Sequence, residues 1–346
     1  MPPRHAHSED RTAQGSPSRT THETSRSPSA PSRALDATQR PGPARRGWQH
    51  RQSRAWINTG RARACERPKK PTAAASRTMA DTGDVAAAAE ASARPAGSSS
   101  TQPLAGRVAI VTGASRGIGR AIATHLSSLG ASLVLGYAAR ADEAGALAAS
   151  LPRAVAVRAD VSDEAGARSL FDAADEAFGG AHILVASAGV LDDTYPAVAG
   201  TATEAFDRVL AVNLRGAFLC LREAANRLRR GGGGRIVAVT SSVVGSLPPR
   251  FGAYTASKAA VEALVRTMAK ELGGTRVTAN CVAPGATATD MFFKGKSEAM
   301  VRHAVETNPM QRLGEPGDIA PVVGFLCTDA AEWVNGQVIR ANGGYV

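Results

Sequence analysis

Seven short apolar runs recur along the chain, and stretches of helical spacing lie between them. The first, "RVAIVT" (107–112), leads into the glycine-rich turn "TGASRGIG" and then the helical "RAIATHLSSLG". "ASLVLGY", "AVAVRAD", "HILVASAG", "GRIVAVTS", "RVTANCVAPG" and "GQVIRANGG" follow. Between them the spacing predicts helices around 141–150, near 163–178, over 203–229, from about Ala253, and near 316–328. A short apolar run without polar alternation is a strand buried on both faces, and parallel strands of that kind need helices over both faces. With right-handed crossovers, the order predicts an α/β architecture. It is one doubly wound Rossmann domain over residues 104–346, with a seven-stranded parallel sheet and helices on both faces. The pattern contains no second domain and no internal repeat.

Charge separates this domain from what precedes it. Residues 1–78 hold 16 Lys/Arg against 5 Asp/Glu, which is the whole +11 of the 346-residue chain; the remainder balances at 25 and 25. Residues 1–103 are rich in Arg, Ser, Ala and Pro without a sustained apolar period, so disorder is expected there. Three readings fit residues 1–78. They are an organelle transit peptide, a nucleic-acid-binding arm built on Arg45, Arg46, Lys69 and Lys70 with Trp48 and Trp56, or a segment upstream of a true start at Met79. The abrupt charge change at Met79 favours the last, with a cytoplasmic protein and no nucleic-acid partner; a real transit peptide implies a chloroplast or another organelle. Cys65, Cys220, Cys281 and Cys327 lack zinc or CxxC spacing and read as reduced, mostly buried thiols. No run approaches 18 apolar residues and no histidines stand in ligand spacing, so neither a membrane span nor a metal is expected.

The glycine turn has a mechanical reading. Gly113 lets the chain leave the strand sharply, Gly117 lets backbone approach a pyrophosphate, and Gly119 lets the helix pack close to the sheet. Ser115, Arg116 and Ile118 complete a dinucleotide-binding turn in its required strand–turn–helix context. The second strand ends at Tyr137, followed by Ala138, Ala139 and Arg140, with no carboxylate to accept from a ribose 2′-hydroxyl. That absence, with Arg116 in the turn, selects NADP(H) over NAD(H). Asp160 and Val161, at the end of the third strand, are placed to meet the adenine, although Asp160 could instead cap the next helix.

"YTASK" (254–258) puts a tyrosine and a lysine at i and i+4, on one helix face. A lone tyrosine titrates near pKa ~10, and a neighbouring ammonium draws that value downward. In isolation the pair could also be a packed ring beside a solvated lysine.

Together these motifs resemble the short-chain dehydrogenase/reductase family over about 104–346. "TGASRGIG" is similar to its cofactor turn, "YTASK" to its Tyr-x-x-x-Lys, "SSVVG" to its serine segment, "VNLRG" to its asparagine segment and "NCVAPGATATD" to its Pro-Gly segment. "RLGEPGDIA" with "GQVIRANGG" is similar to the family's usual close, and the sequence overall resembles plant-type NADPH-dependent aldehyde reductases of that family. The resemblance implies Tyr254 as general acid or base, Lys258 as the cation that lowers its pKa and holds the nicotinamide ribose, and Asn213 in a proton relay at a helix irregularity. Of the two serines, Ser242 keeps the S-x-x-G relation to Gly245, whereas Ser241 lies thirteen residues before Tyr254; the first relation selects Ser242. Cofactor contacts are implied for Gly189, Pro284, Gly285, Thr287 and Thr289. One departure stands out: Ala186, Ser187, Ala188 and Gly189 replace the family's Asn-Asn-Ala-Gly.

The expected activity is reduction of a small or medium aldehyde or ketone, or the reverse, with a wall from Leu191, Pro248, Phe251 and residues 291–300, including Met291, Phe292 and Phe293. A 3-oxoacyl-carrier-protein reductase is the alternative, with Arg250, Lys294 and Lys296 to receive an acidic carrier. A nucleotide-binding scaffold without turnover is the third reading. The family's habit of pairing its two long helices implies a homotetramer or homodimer.

Overall fold

Residues 102–346 are described by the computed structural model; the expectations for residues 1–101 lie outside the described residues. Seven strands form, at Val108–Thr112 (β1), Ser132–Tyr137 (β2), Ala154–Arg158 (β3), Ile183–Ala186 (β4), Arg235–Val239 (β5), Thr278–Pro284 (β6) and Val338–Ala341 (β7). All pair in parallel, in the order β3-β2-β1-β4-β5-β6-β7. Every residue of β1, β4, β5 and β6 is buried, whereas the edge strands β3 and β7 are mostly half-buried. This is why the central strands read as unbroken apolar runs. The chain leaves one edge at β3 and resumes at β4 on the other side of β1, so a crevice opens beyond the carboxyl ends of β1 and β4.

Among the described residues the helices include Gly117–Ser128 (α1), Ala141–Ser150 (α2), Glu164–Phe178 (α3), Thr203–Leu210 (α4), Ala217–Arg227 (α5), Gly252–Glu271 (α6), Asp290–Phe293 (α7), Glu298–Glu306 (α8) and Pro316–Cys327 (α9), with a single further turn at Val243–Ser246. On one face Ile122 and Leu126 of α1 and Val323 of α9 pack against Leu133, Leu135 and Val185. On the other, Leu170 and Phe171 of α3, Leu221 of α5, and Val261 and Val265 of α6 close a second core. The helix expected over 203–229 is not uniform: Ala211–Gly216 winds as a π-type turn between α4 and α5. Gly216 sits against Val161, where a Cβ would come within 2.8 Å of the valine methyl.

At the opposite end of the sheet from the crevice lies a fully buried guanidinium. Arg235, at the start of β5, donates to the carbonyls of Gly234 (2.7 Å) and Thr328 (3.2 Å) and to Asp329 Oδ1 (2.9 Å). Arg107 donates to the same carboxylate oxygen at 2.6 Å. The carboxylate thus ties β5 and the start of β1 to the end of α9. Cys220, Cys281 and Cys327 are buried free thiols, each pushed up to about 12 by burial, and are unreactive at neutral pH. No described helix is long and apolar enough to cross a membrane.

Removing the shared carboxylate leaves Arg235 buried with a donor unanswered. Asp329→Ala is therefore expected to cost about 1–3 kcal/mol, read as a lower thermal unfolding midpoint with the cleft chemistry unchanged.

Candidate active site

A cleft of about 840 Å³ opens over the carboxyl ends of the central strands. The glycine turn forms one wall. Gly113 adopts φ +66°, and a Cβ there would come within 2.9 Å of the Ala188 Cα. A Cβ on Gly119 would lie 2.3 Å from the Gly113 carbonyl oxygen, so the turn closes only with glycine at both places. Arg116 precedes α1 in extended conformation, its side chain does not cap the helix, and the first turn holds no acidic residue. The positive end of α1 is therefore left to an anion, with Gly113, Ser115, Gly117, Ile118 and Gly119 all lining the cleft beside it. This cradle fits the pyrophosphate of a dinucleotide.

Farther along the same wall stand Tyr137, Ala138, Ala139, Arg140, Asp160 and Val161. The end of β2 carries no carboxylate, as expected. Both arginines already hold acidic partners: Arg140 pairs with Glu143 at 2.6 Å, and Arg116 with Asp290 at 2.8 Å across the cleft mouth. These pairs are exposed, so a phosphate can displace either carboxylate at small cost. Asp160 accepts from the backbone and hydroxyl of Ser162, which makes it a turn residue; the N-cap of α3 is Asp163.

The other end of the cleft holds Ser241, Ser242, Tyr254 and Lys258. Tyr254 and Lys258 lie in the first turns of α6, with the Lys258 nitrogen 5.7 Å from the tyrosine ring centre. That nitrogen donates to the Val239 carbonyl at 2.9 Å, at the end of β5. Burial draws Lys258 down to about 8 and pushes Tyr254 up to about 12, with a hydrogen bond from the Ser241 hydroxyl opposing the latter. In the protein alone, removal from water outweighs the favourable contact at the phenol.

The two serines differ in their surroundings. Ser242 is buried, donates to the Ala283 carbonyl at 2.9 Å and accepts from Asn342 at 3.0 Å. Its hydroxyl is committed to β6 and to the segment after β7. Ser241 keeps the thirteen-residue spacing to Tyr254 and stands where its hydroxyl lowers the pKa of the phenol. Both serines lie beyond the end of β5 and line the cleft.

Asn213 sits inside the π-type turn, buried, and its amide is fully used. It accepts from the Val190 N–H at 2.7 Å and donates to the Val190 carbonyl (2.9 Å) and the Ser257 hydroxyl (3.1 Å). Ser257 donates in turn to the Tyr254 carbonyl at 2.7 Å. Asn213 therefore fastens the loop after β4 to the helical turn that presents the tyrosine. Gly189 stands between Asn213 and Lys258, where a Cβ would meet their polar atoms at 3.3 and 3.5 Å. The Ala186–Ser187 departure is accommodated by Thr112, whose hydroxyl accepts from the N–H groups of Ser187 (3.0 Å) and Ala188 (2.9 Å).

Pro284, Gly285, Thr287 and Thr289 line the cleft from the β6 side. Thr287 is buried and donates to the Gly285 carbonyl, and Thr289 caps α7 by accepting from the Phe292 N–H at 3.2 Å. Leu191, Pro248, Phe251, Met291 and Phe292 line the substrate end, whereas Phe293 points away and stays 46% exposed. Met300, within the expected 291–300 segment, lines the cleft, and His303, Asn308 and Tyr345 join it without any motif to announce them, because α8 and the C-terminal residues fold across the cleft.

Lys258 generates a test. Its folded-state pKa, about 8, lies below the unfolded value of 10.5, so its charge penalises folding fully below pH 8 and less as pH rises to 10.5. Lys258→Met is expected to unfold at a higher temperature than the parent at pH 7, with the gap narrowing by pH 9.5, in thermal melts at the two pH values.

Comparison with known proteins agrees with this geometry. A family model described as Enoyl-(Acyl carrier protein) reductase matches residues 113–346. A "NADPH-dependent aldehyde reductase-like protein, chloroplastic" of Arabidopsis thaliana is 55% identical over 258 residues, covering 70% of this chain and 96% of that protein. A "Short-chain type dehydrogenase/reductase" of Picea abies is 54% identical over 253 residues, 70% of this chain and 93% of its own length. Among solved structures, a short-chain dehydrogenase from Burkholderia cenocepacia in complex with NADP superposes with a TM-score of 0.66 at 34% identity, covering 70% of this chain and 99% of that one. With a match of that extent laid over the glycine turn and the Ser241–Tyr254–Lys258 cluster, the chain belongs to the short-chain dehydrogenase/reductase family.

Proposed function

We propose that the protein is an NADPH-dependent carbonyl reductase acting on a small or medium aldehyde or ketone, or on the corresponding alcohol in reverse. The observation that carries this reading is that one cleft holds both the uncapped glycine turn and the Ser241–Tyr254–Lys258 cluster. The relative named as an NADPH-dependent aldehyde reductase and the neighbour solved with NADP support the choice of cofactor. The missing carboxylate after β2, with Arg116 and Arg140 at hand, supports the same choice. Residues Gly113 to Gly119 would cradle the phosphates, Tyr137, Asp160 and Val161 the adenosine end, and Gly189, Pro284, Gly285, Thr287 and Thr289 the nicotinamide half.

The bound cofactor supplies the hydride. Tyr254, held protonated at neutral pH by its burial, donates its proton to the carbonyl oxygen. The Ser241 hydroxyl provides a second hydrogen bond where negative charge develops. Lys258 then stands beside the phenolate that remains, and its positive charge favours that state. Asn213 acts by fixing the Tyr254 turn against the loop after β4.

A carrier-protein substrate is less well served by the basic residues. Arg250 donates to the Tyr195 carbonyl (2.7 Å), Lys294 pairs with Asp193 (2.7 Å), and Lys296 turns inward. Self-association into a dimer or tetramer is supported by Phe206 of α4 and Phe218 of α5, which stay 38% and 43% exposed on the first of the two long helical stretches. The chloroplastic name of the Arabidopsis relative supports an organelle over the cytoplasm.

The test is loss of NADPH absorbance with short aldehydes and ketones. Tyr254→Phe is expected to lower kcat by at least ~10²-fold and Ser241→Ala by ~10²-fold. Ser242→Ala should lose about 1 kcal/mol of stability with kcat within a few-fold of the parent. Tight NADPH binding with no turnover of any carbonyl would turn the assignment to a nucleotide-binding scaffold.

A further inference from the structure

Lys296, just beyond α7, lines the cleft on its substrate side and is half-buried there. Its nitrogen lies 4.5 Å from the ring centre of Phe292, 4.6 Å from Tyr195 and 5.9 Å from Phe251. It donates to the Phe292 carbonyl at 2.7 Å and to the Tyr195 hydroxyl. An ammonium has three donors, and these contacts use two.

No carboxylate among the described residues forms an ion pair with this cation. Asp193, the acid of the adjoining loop, is engaged by Lys294 at 2.7 Å, and Arg250 holds the Tyr195 carbonyl, so the surroundings add positive rather than negative charge. His303 of α8, Tyr345 and Asp290 of α7, the last engaged by Arg116, are further titratable groups of the cleft lining. Aromatic faces attract a cation but carry no net charge. Burial without a counter-ion draws Lys296 down to about 8. A cation part-removed from water, unpaired and facing a ligand cavity is a receptor for an anion.

We propose that Lys296 is a specificity-determining residue that pairs with a carboxylate carried by the substrate, so that the preferred substrates are oxo acids whose reacting carbonyl meets Tyr254. This rests on the carbonyl-reductase reading above. The carboxylate is unchanged in the reaction: the carbonyl carbon takes the hydride and its oxygen the proton. An apolar wall alone would favour alkanals, and the cation at its centre reverses that preference.

The experiment compares ω-oxo carboxylates of four to six carbons with their methyl esters and with n-alkanals of equal length. It uses the full chain, Lys296→Met and Lys296→Arg, with kcat/KM from NADPH consumption. Calorimetric binding of each oxo acid and ester to the NADPH complex gives a readout independent of turnover. At one chain length the parent is expected to favour the acid over the ester by about tenfold or more, in kcat/KM and in affinity. Lys296→Met should bring that ratio close to one and Lys296→Arg should keep it, with alkanal turnover within a few-fold in all three. The parent's ratio should also fall as pH rises from 7 to 9, because the ammonium loses its charge. No preference for the acid in the parent, or a preference that survives in Lys296→Met, overturns the proposal. Tyr254-dependent alkanal turnover in the same panel keeps the reductase reading intact in that event. Absence of turnover in all three series sinks the reductase reading, and the binding ratios still decide the role of Lys296.

Discussion

Burial of β1, β4, β5 and β6 on both faces is the constraint from which the rest of the structure follows. Strands packed between two helical layers cannot slide or splay without exposing apolar surface or breaking ladder hydrogen bonds. Their carboxyl ends are therefore fixed points. The glycine turn leaves β1, the loop with Gly189 leaves β4, Ser241 follows β5, and Pro284 ends β6. Groups far apart in the chain meet in one cleft because a rigid sheet holds their attachment points a strand's width apart.

Hydrogen bonds from a few side chains convert that coarse placement into a site. Thr112 holds the backbone of Ser187 and Ala188, Asn213 holds Val190 and, through Ser257, the turn of Tyr254, and Lys258 reaches the end of β5. All of these bonds except Ser257 to Tyr254, which lies within α6, join two different elements, so the loops beyond the strands are tied together as well as anchored. The same enclosure sets protonation. Tyr254 is kept neutral and Lys258 becomes easier to deprotonate, both because charge is costly away from water. At the substrate end the result differs: Lys296 is surrounded by aromatic faces and left without an acid, which makes electrostatics rather than shape the discriminating property of that wall.

The departure at Ala186–Ser187 illustrates how function-bearing networks tolerate change. Two side-chain amides expected from the family pattern are absent, yet the backbone donors at that turn are satisfied by a threonine on the neighbouring strand. What the loop needs is an acceptor at the right place, and parallel pairing of β1 with β4 brings Thr112 there.

Local sequence alone determined the seven strands, their order along the chain and the main helices between them, but not the short helices α7 and α8, since apolar runs of strand length and sustained helical spacing are properties of consecutive residues. It also determined the glycine turn and the Tyr254–Lys258 pairing, because a tight turn and an i, i+4 relation need no distant partner. The ion pairs on Arg116 and Arg140, the partners of Ser242 and the caged Lys296 were decided only by tertiary structure. In each case the outcome depends on which way a side chain faces and what another segment places opposite it. Ser241 and Ser242 are equivalent in composition, and only the packed fold brings β6 and Asn342 to the Ser242 hydroxyl.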